Sequence, residues 1–395
     1  MATAESSSSS SGIAPKAYGD GESKYAKVRE LAKGGGGTVW LCRENKLKKS
    51  SRTLLVDEEE EGEEAPVATK QEPGDGDDDN STSPSPLQPD ASGRLVAVKK
   101  CKAISRDDGL NPSALREIRL LKELRHPNVI EIVDAYSRGS NLYIVFELMY
   151  EDLENIIRDK NMAFTAADVK GYLVQALRGV DYLHSQYVMH RDLKPANCLL
   201  DKTGHLKLTD FGLARVFGSP NRRYTREVQT IWYRAPELIF GCPDYTQAID
   251  MWSVGCTFAE LLLRKAFLPG ETEIDQLSKM CAALGTPSER NWPGVSSLPF
   301  FVEFEEAPAP PLNIIFTAAS STARHLLQQM LIYDPTRRIT AKAALEHPYY
   351  RDPLPTPPER LPLPRGGILD RKQNSAPSRF ADVKQEPASC QKKLF

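Results

Sequence analysis

His190-Arg191-Asp192-Leu193-Lys194-Pro195-Ala196-Asn197 gathers a carboxylate, an ammonium group and a carboxamide into one short stretch, and Asp210-Phe211-Gly212 soon adds a second carboxylate. Both strings follow apolar, strand-like segments, where a loop can aim polar side chains into a cleft. Val96-Ala97-Val98-Lys99 lies upstream and Ala235-Pro236-Glu237 downstream. A carboxylate such as Asp192 can accept a proton. Asn197 and Asp210 offer the hard oxygen ligands that Mg²⁺ prefers. Such a set suits the transfer of a highly charged group, which needs neutralisation and positioning more than covalent help.

In this order, the four strings resemble the signature set of the protein kinases. The resemblance implies ATP and Mg²⁺ as cofactors and transfer of the γ-phosphoryl group to a hydroxyl. It makes Asp192 the catalytic base and aims Lys194 at the γ-phosphate. Asn197 and Asp210 then hold the metal. Lys99 holds the α- and β-phosphates and is positioned by a helix carboxylate, Glu117. The implied fold is α+β and two-lobed: a small β-sheet lobe with one regulatory helix, and a larger, mostly helical lobe.

The elements that must position these groups can be read along the chain. Val28, Leu31, Val39 and Leu41 fit two strands joined by the turn Lys33-Gly34-Gly35-Gly36-Gly37. In kinases this hairpin covers the nucleotide with backbone N–H groups, which makes Leu31, Gly34, Gly35, Gly36, Gly37 and Val39 nucleotide-binding candidates. Ala32 departs from the pattern, standing where G-x-G-x-x-G has its first glycine. Leu95-Val96-Ala97-Val98 forms a third strand that brings Ala97 to the same pocket. Leu142-Tyr143-Ile144-Val145-Phe146 is another apolar strand. Glu147-Leu148-Met149 after it matches the kinase hinge, whose backbone bonds the adenine, with Phe146 at the back of the pocket and Leu199 as a further lining residue.

Asn111-Pro112-Ser113-Ala114-Leu115-Arg116-Glu117 opens a helix, with Pro112 in its first turn and Leu115, Ile118 and Leu121 on one face. Val169, Tyr172, Leu173, Ala176, Leu177, Val180 and Leu183 repeat at helical spacing and deliver the chain to His190. Asp250-Met251-Trp252-Ser253-Val254-Gly255 begins another buried helix. Glu237 and Arg338 match a kinase ion pair that staples the large lobe. Residues 1–23 are Ser/Gly-rich and read as a disordered tail. The kinase domain is expected over 24–350, with 44–93 a disordered acidic insertion that buries too little apolar surface to offset chain entropy. Residues 351–395 read as an extended Pro-rich tail.

Two strings narrow the resemblance to the cyclin-dependent kinases. Asn111–Glu117 is similar to their cyclin-binding helix. Between Asp210 and Glu237, Thr225 stands where the family carries an activating phosphate, with Arg116, Arg191 and Arg215 as its implied partners. A phosphate there adds about −1.5 to −2 charges, which guanidinium forks bind bidentately. Without it, three clustered arginines repel and leave the segment mobile. Phe217-Gly218-Ser219-Pro220-Asn221-Arg222 resembles the TFIIH-associated branch, the catalytic subunits of CDK-activating kinases, and makes Ser219 a second phosphosite. That likeness implies an H-type cyclin, a RING-containing assembly factor and the TFIIH core as partners, and a nuclear location. The implied substrates are the RNA polymerase II C-terminal repeats and the activation segments of other cyclin-dependent kinases. Another cell-cycle or transcriptional cyclin-dependent kinase, and a catalytically silent scaffold, are the alternatives.

Composition excludes little else. Net charge is −2, so nothing global favours direct nucleic-acid or membrane binding. The seven cysteines form no C-x-x-C pair and read as reduced, mostly buried thiols of a soluble intracellular protein. The serine run at the N-terminus lacks the apolar core of a signal peptide.

Overall fold

A computed structural model of the chain describes residues 24–34, 37–45, 93–101, 111–139, 141–218, 228–351 and 360–368. Gly35, Gly36, Ser219 and Thr225 lie outside the described residues, as do 46–92 and most of the two tails.

The alternating apolar segments of the first third become five antiparallel strands: β1 (Tyr25–Gly34), β2 (Gly37–Glu44), β3 (Leu95–Cys101), β4 (Ile132–Arg138) and β5 (Asn141–Glu147), ordered β1-β2-β3-β5-β4. Side chains alternate faces along a strand, so register decides what each face presents. Val39 pairs with Lys99, and Lys99 with Ile144; Leu41 pairs with Ala97, and Ala97 with Phe146. Val39, Ala97, Lys99 and Phe146 therefore share one face. Val96, Val98 and Val145 take the other, where Tyr25, Tyr136 and Tyr143 cover them. Glu44 N donates to Arg94 O at 2.8 Å, so the long insertion leaves and rejoins a continuing ladder.

Helix α1 (Pro112–Glu123) starts at Asn111, whose side chain accepts from Ser113 N and Ala114 N, with Pro112 in the first turn. Its buried face is Ala114, Glu117, Leu120 and Leu121. Leu115, expected on the apolar face, is instead 44% exposed.

Below the sheet come β6 (Glu151–Asp152), α2 (Leu153–Arg158) and α3 (Ala166–Ser185), then β7 (Val188–Met189), β8 (Cys198–Leu200), β9 (Leu206–Leu208) and β10 (Arg215–Val216). Thr165 and Asp168 cap α3 reciprocally. All seven residues of its sequence-read stripe are buried, at about 1.5–3 kcal/mol for each fully buried large side chain. The rest is helical: α4 (Pro236–Ile239), α5 (Ala248–Leu263), α6 (Glu273–Leu284), α7 (Leu312–Ile315), α8 (Ser321–Met330), α9 (Ala341–Leu345) and α10 (Pro348–Arg351). α5 is buried from Ala248 to Leu261 on all sides and is the axis of this lobe. No helix among the described residues is long and apolar enough to cross a membrane.

Residues 360–368 differ from the extended tail expected after 350. Leu361 is buried in the large-lobe core, and the segment hydrogen-bonds to Tyr172 and Tyr150. Proline fixes the local backbone, but it was alternating Leu361 and Leu363 that gave this stretch something to bury. The six described cysteines are free; burial pushes the Cys101 thiol up to about 11 and that of Cys198 to about 12, which keeps both protonated at neutral pH.

Arg338 donates to both Glu237 oxygens at 2.7 and 2.9 Å, with both side chains fully buried, and also to Ala248 O and Tyr333 O. Removing one partner strands a buried charge. Arg338→Ala or Glu237→Ala should cost about 3–5 kcal/mol, read from the urea midpoint of the purified chain.

Candidate active site

Lys99 Nζ lies 2.8 Å from Glu117 Oε2 and 3.1 Å from Asp210 Oδ1. Three elements distant in sequence thus meet on one ammonium group. Burial acts to strip its proton, but the two carboxylates outweigh it and hold Lys99 above the ordinary lysine range. Burial likewise opposes ionisation of Asp210, and Lys99 overrides it, so the Asp210 carboxyl sits below its usual value. Glu117 is 2% exposed, whereas the Asp210 side chain is 47% exposed and open on its far side.

Asp210 has φ 65°, a left-handed conformation costly for a residue with a Cβ. The turn after it is pinned to α1: Ser113 Oγ and Arg116 Nη1 both donate to Gly212 O, at 2.8 and 2.6 Å. A Cβ on Gly212 would sit 2.8 Å from Ser113 Oγ, so the turn and α1 approach closely here.

Asp192 is oriented by four donors. Lys194 Nζ lies 3.0 Å from Oδ2, Asn197 Nδ2 reaches Oδ2 at 3.0 Å, and Thr230 N and Oγ1 reach Oδ1 at 3.2 and 3.3 Å. Lys194 Nζ also donates to Thr230 Oγ1 at 2.9 Å. The second amide hydrogen of Asn197 goes to Asp192 O at 2.7 Å. With both hydrogens spent on Asp192, the Asn197 Oδ1 is left to face a cation. That oxygen and the outward side of Asp210 fit a Mg²⁺ ion, which takes one or two protein oxygens and completes its shell with phosphates and water.

The loop carrying Asp192 is itself held by a residue that sequence reading used only as a helix start. Asp250, fully buried on α5, accepts from His190 N and Arg191 N at 2.9 Å each and contacts His184 Nε2 at 3.0 Å. Arg191 has φ 66°, and two backbone donors converging on one carboxylate hold that conformation in place. Burial opposes the charge of Asp250, but the His184 contact and these amides keep its carboxyl below the ordinary value. Thr230 was missed too. The signal available for Asp250 was a carboxylate inside an otherwise apolar helix.

The described nucleotide-site candidates lie on β1, β2, β3, β5 and β8 and in the residues just after β5. Leu31 sits in a bulge of β1 between Glu30 and Ala32, and Ala32 pairs with Val39. Gly34 pairs with Gly37 at the turn. Gly37 has φ 136°, and a Cβ there would meet Lys100 O. Phe146 and Met149 are each 7% exposed. Leu199 lies half-buried in β8. The Glu147 side chain is taken, by Lys207 Nζ at 2.7 and 2.8 Å and by Glu131 N at 2.9 Å, and its own N–H donates to Glu131 O at 3.4 Å.

The three arginines expected to gather round a phosphate already have partners. Arg116 donates to Gly212 O; Arg191, 1% exposed, donates to Leu213 O at 2.7 Å and Tyr245 OH at 2.6 Å. Arg215 Nη1 reaches Ala214 O at 3.4 Å. Arg116, Arg191 and Arg215 thus each meet a main-chain carbonyl oxygen.

The protein kinase domain family matches residues 87–350. Cyclin-dependent kinase 7 of Xenopus laevis is 50% identical over 287 residues, spanning 71% of this chain and 82% of that protein. The chain belongs to the cyclin-dependent protein kinases. Cyclin-dependent kinase 7 of Dictyostelium discoideum is 48% identical over 72% of this chain and 81% of its own length. Cyclin-dependent kinase D-1 of Arabidopsis thaliana is 50% identical over 74% and 73%. Among solved structures, a chain of the CAK complex from Chaetomium thermophilum bound to ATP-γ-S superposes with TM-score 0.70 at 37% identity, covering 86% of this chain and 95% of that one. This kinase is thus an ATP-dependent serine/threonine kinase similar to cyclin-dependent kinase 7. The family match begins inside the insertion, yet β1 and β2 before it complete the kinase sheet.

Asp250→Ala removes the acceptor of three donors and frees the loop that aims Asp192. Displacements of about 1 Å cost on the order of 100-fold in rate, and a loss of that order in kcat is expected from phosphate-transfer assays. The depressed Asp250 carboxyl also fixes a pH sign. Its stabilisation is full above the unfolded carboxyl value of about 4 and is lost as pH falls through the lower folded value. Acid unfolding of Asp250→Ala should therefore lack part of the steepness of the parent.

Proposed function

We propose that this kinase is the catalytic subunit of a CDK-activating kinase, transferring the ATP γ-phosphoryl group to serine or threonine, preferentially before proline. The observation that carries the catalytic reading is the assembled centre: Lys99 paired with Glu117 and Asp210, beside an Asp192 oriented by Lys194, Asn197 and Thr230.

In this reading Asp192 takes the proton of the substrate hydroxyl as its oxygen bonds to γ-phosphorus and the bond to the ADP leaving oxygen breaks. Four donors already crowd Asp192, so one must yield to that hydroxyl. Lys194 is the natural one, because a γ-phosphate draws its ammonium away from Oδ2. Lys99 binds the α- and β-phosphate oxygens, and Glu117 keeps it extended from β3. Backbone groups of Glu147 and Met149 bond the adenine edge, between Leu31, Val39 and Ala97 above and Leu199 below. Mg²⁺, held by Asn197 and Asp210, supplies charge neutralisation on the phosphate oxygens.

Exposed Leu115, beside the helix position that sets Glu117, supports docking of an H-type cyclin on α1. The resemblance to cyclin-dependent kinase 7 and to the CAK complex supports a RING-containing assembly factor, the TFIIH core, a nuclear location, and polymerase-tail repeats and activation segments of other cyclin-dependent kinases as substrates. It also supports Thr225 and Ser219 as phosphosites, with Arg116, Arg191 and Arg215 exchanging carbonyl partners for the Thr225 phosphate.

The deciding experiment is transfer of labelled phosphate from Mg·ATP, with and without an H-type cyclin and the assembly factor, to a polymerase-tail peptide and to a partner kinase. Cyclin-dependent labelling of either substrate is expected. Complex formation without labelling would favour a scaffold. Labelling driven only by another cyclin would favour a different branch of the family. Asp192→Asn should abolish transfer and leave cyclin binding intact, and Thr225→Ala should lower activity or complex stability.

A further inference from the structure

Residues 360–368 touch both lobes. Leu361 is 3% exposed within the large-lobe core, and Tyr172 OH on α3 donates to Pro362 O at 2.6 Å. The chain then follows the hinge. Tyr150 OH donates to Pro364 O and accepts from Gly367 N, both at 3.0 Å, and Tyr150 O accepts from Ile368 N at 2.9 Å. At the far end, Arg29 Nη2 of β1 donates to Ile368 O at 2.6 Å. The fit at the hinge is close: a Cβ on Gly367 would lie 2.6–2.8 Å from the Tyr150 ring.

Leu148–Tyr150 is the covalent connection between β5 of the small lobe and β6 of the large one. The 360–368 segment runs beside it and is anchored at both ends. We infer that it is a strap in parallel with the hinge that sets the spacing of the lobes, and that Arg29, Tyr150 and Gly367 are positioning residues for ATP. Nucleotide must meet Lys99 on the sheet and Asp210 below it at once, so only molecules with the lobes correctly spaced are competent. Apparent affinity falls in proportion to that competent fraction, and a second tether raises the fraction by removing splayed states. Arg29 is also two residues from Leu31, so the strap's small-lobe end fixes the strand that roofs the nucleotide. None of its hydrogen bonds reaches Asp192, Lys99 or Asp210. Its effect belongs to nucleotide binding and not to the chemical step.

The test uses the full chain in its cyclin complex, titrating Mg·ATP at saturating peptide. Three variants are compared with the parent: Gly367→Ala, Arg29→Ala and a chain ending at residue 359. Each should raise KM for ATP about three- to tenfold, the range for loss of one or two partly exposed hydrogen bonds. Values of kcat and of KM for the peptide should stay within about twofold. Arg29→Ala should add nothing in the shortened chain, because its partner is already gone. The shortened chain also loses buried Leu361 and is the variant most exposed to misfolding; Gly367→Ala retains Leu361 and carries the test alone in that event. An unchanged or lowered KM for ATP in folded Gly367→Ala overturns the strap. So does a loss confined to kcat, or an Arg29→Ala effect that persists undiminished in the shortened chain.

Discussion

An ammonium group with so little access to water is costly unless carboxylates surround it, and Lys99 has two. They come from α1 and from the turn at Asp210, so the sheet, α1 and that turn are tied together by one charge. Rotating α1 away would leave Glu117 buried without its cation and Lys99 with Asp210 alone. The helix does not move independently, however. Ser113 and Arg116 both hold Gly212 O, so a shift of α1 is carried directly into the turn that presents Asp210. A protein docking on the exposed side of α1, where Leu115 projects, would then act on Lys99 and Asp210 together.

The large lobe supplies the opposite constraint. α5 is packed on all sides, and its Asp250 reaches the backbone of the loop that carries Asp192, while Gln229 reaches Ser253 and Ile249 O on the same helix. Gln229 and Arg191 both have positive φ and both are held by α5. Strained backbone on either side of the base is thus referred to the most rigid element of the lobe, which is how such conformations persist. One half of the site is thus tied to α1, and the other is fixed to the core.

Much of this could be read from the sequence, and the limits have physical causes. Lys99, Glu117, Asp192, Asn197 and Asp210 lie in strings whose residue types fit one chemistry, and the stripe on α3 has an unambiguous period. Thr230 and Asp250 were not seen as site residues because they act through contacts 38 to 60 residues away, which no local pattern encodes. Leu115 misled because helical periodicity marks an apolar face without saying whether it meets the core or a partner. The 360–368 segment misled for a related reason. Proline-rich composition argues for an extended, disordered tail, but it does not argue against docking when Leu361 has a core to enter.

The departures from the family pattern all fall in the small lobe, and their placement explains why the charged centre survives them. Ala32 lies within β1, exposed and paired with Val39, on the face that Val39 shares with Lys99. The acidic insertion enters after Glu44, at the end of β2 opposite Gly37, and the ladder closes behind it through Glu44 N and Arg94 O. Seven residues of strand separate that junction from the glycine turn, about 23 Å at the usual strand rise. Closure entropy grows only slowly with loop length, so the cost of the insertion is modest and is met at the distal end of the hairpin. Lys99 emerges from the same hairpin-facing strand near its other end, opposite Val39. The insertion thus sits at the end of the sheet away from the glycine turn, while register carries Lys99 to its two carboxylates unchanged.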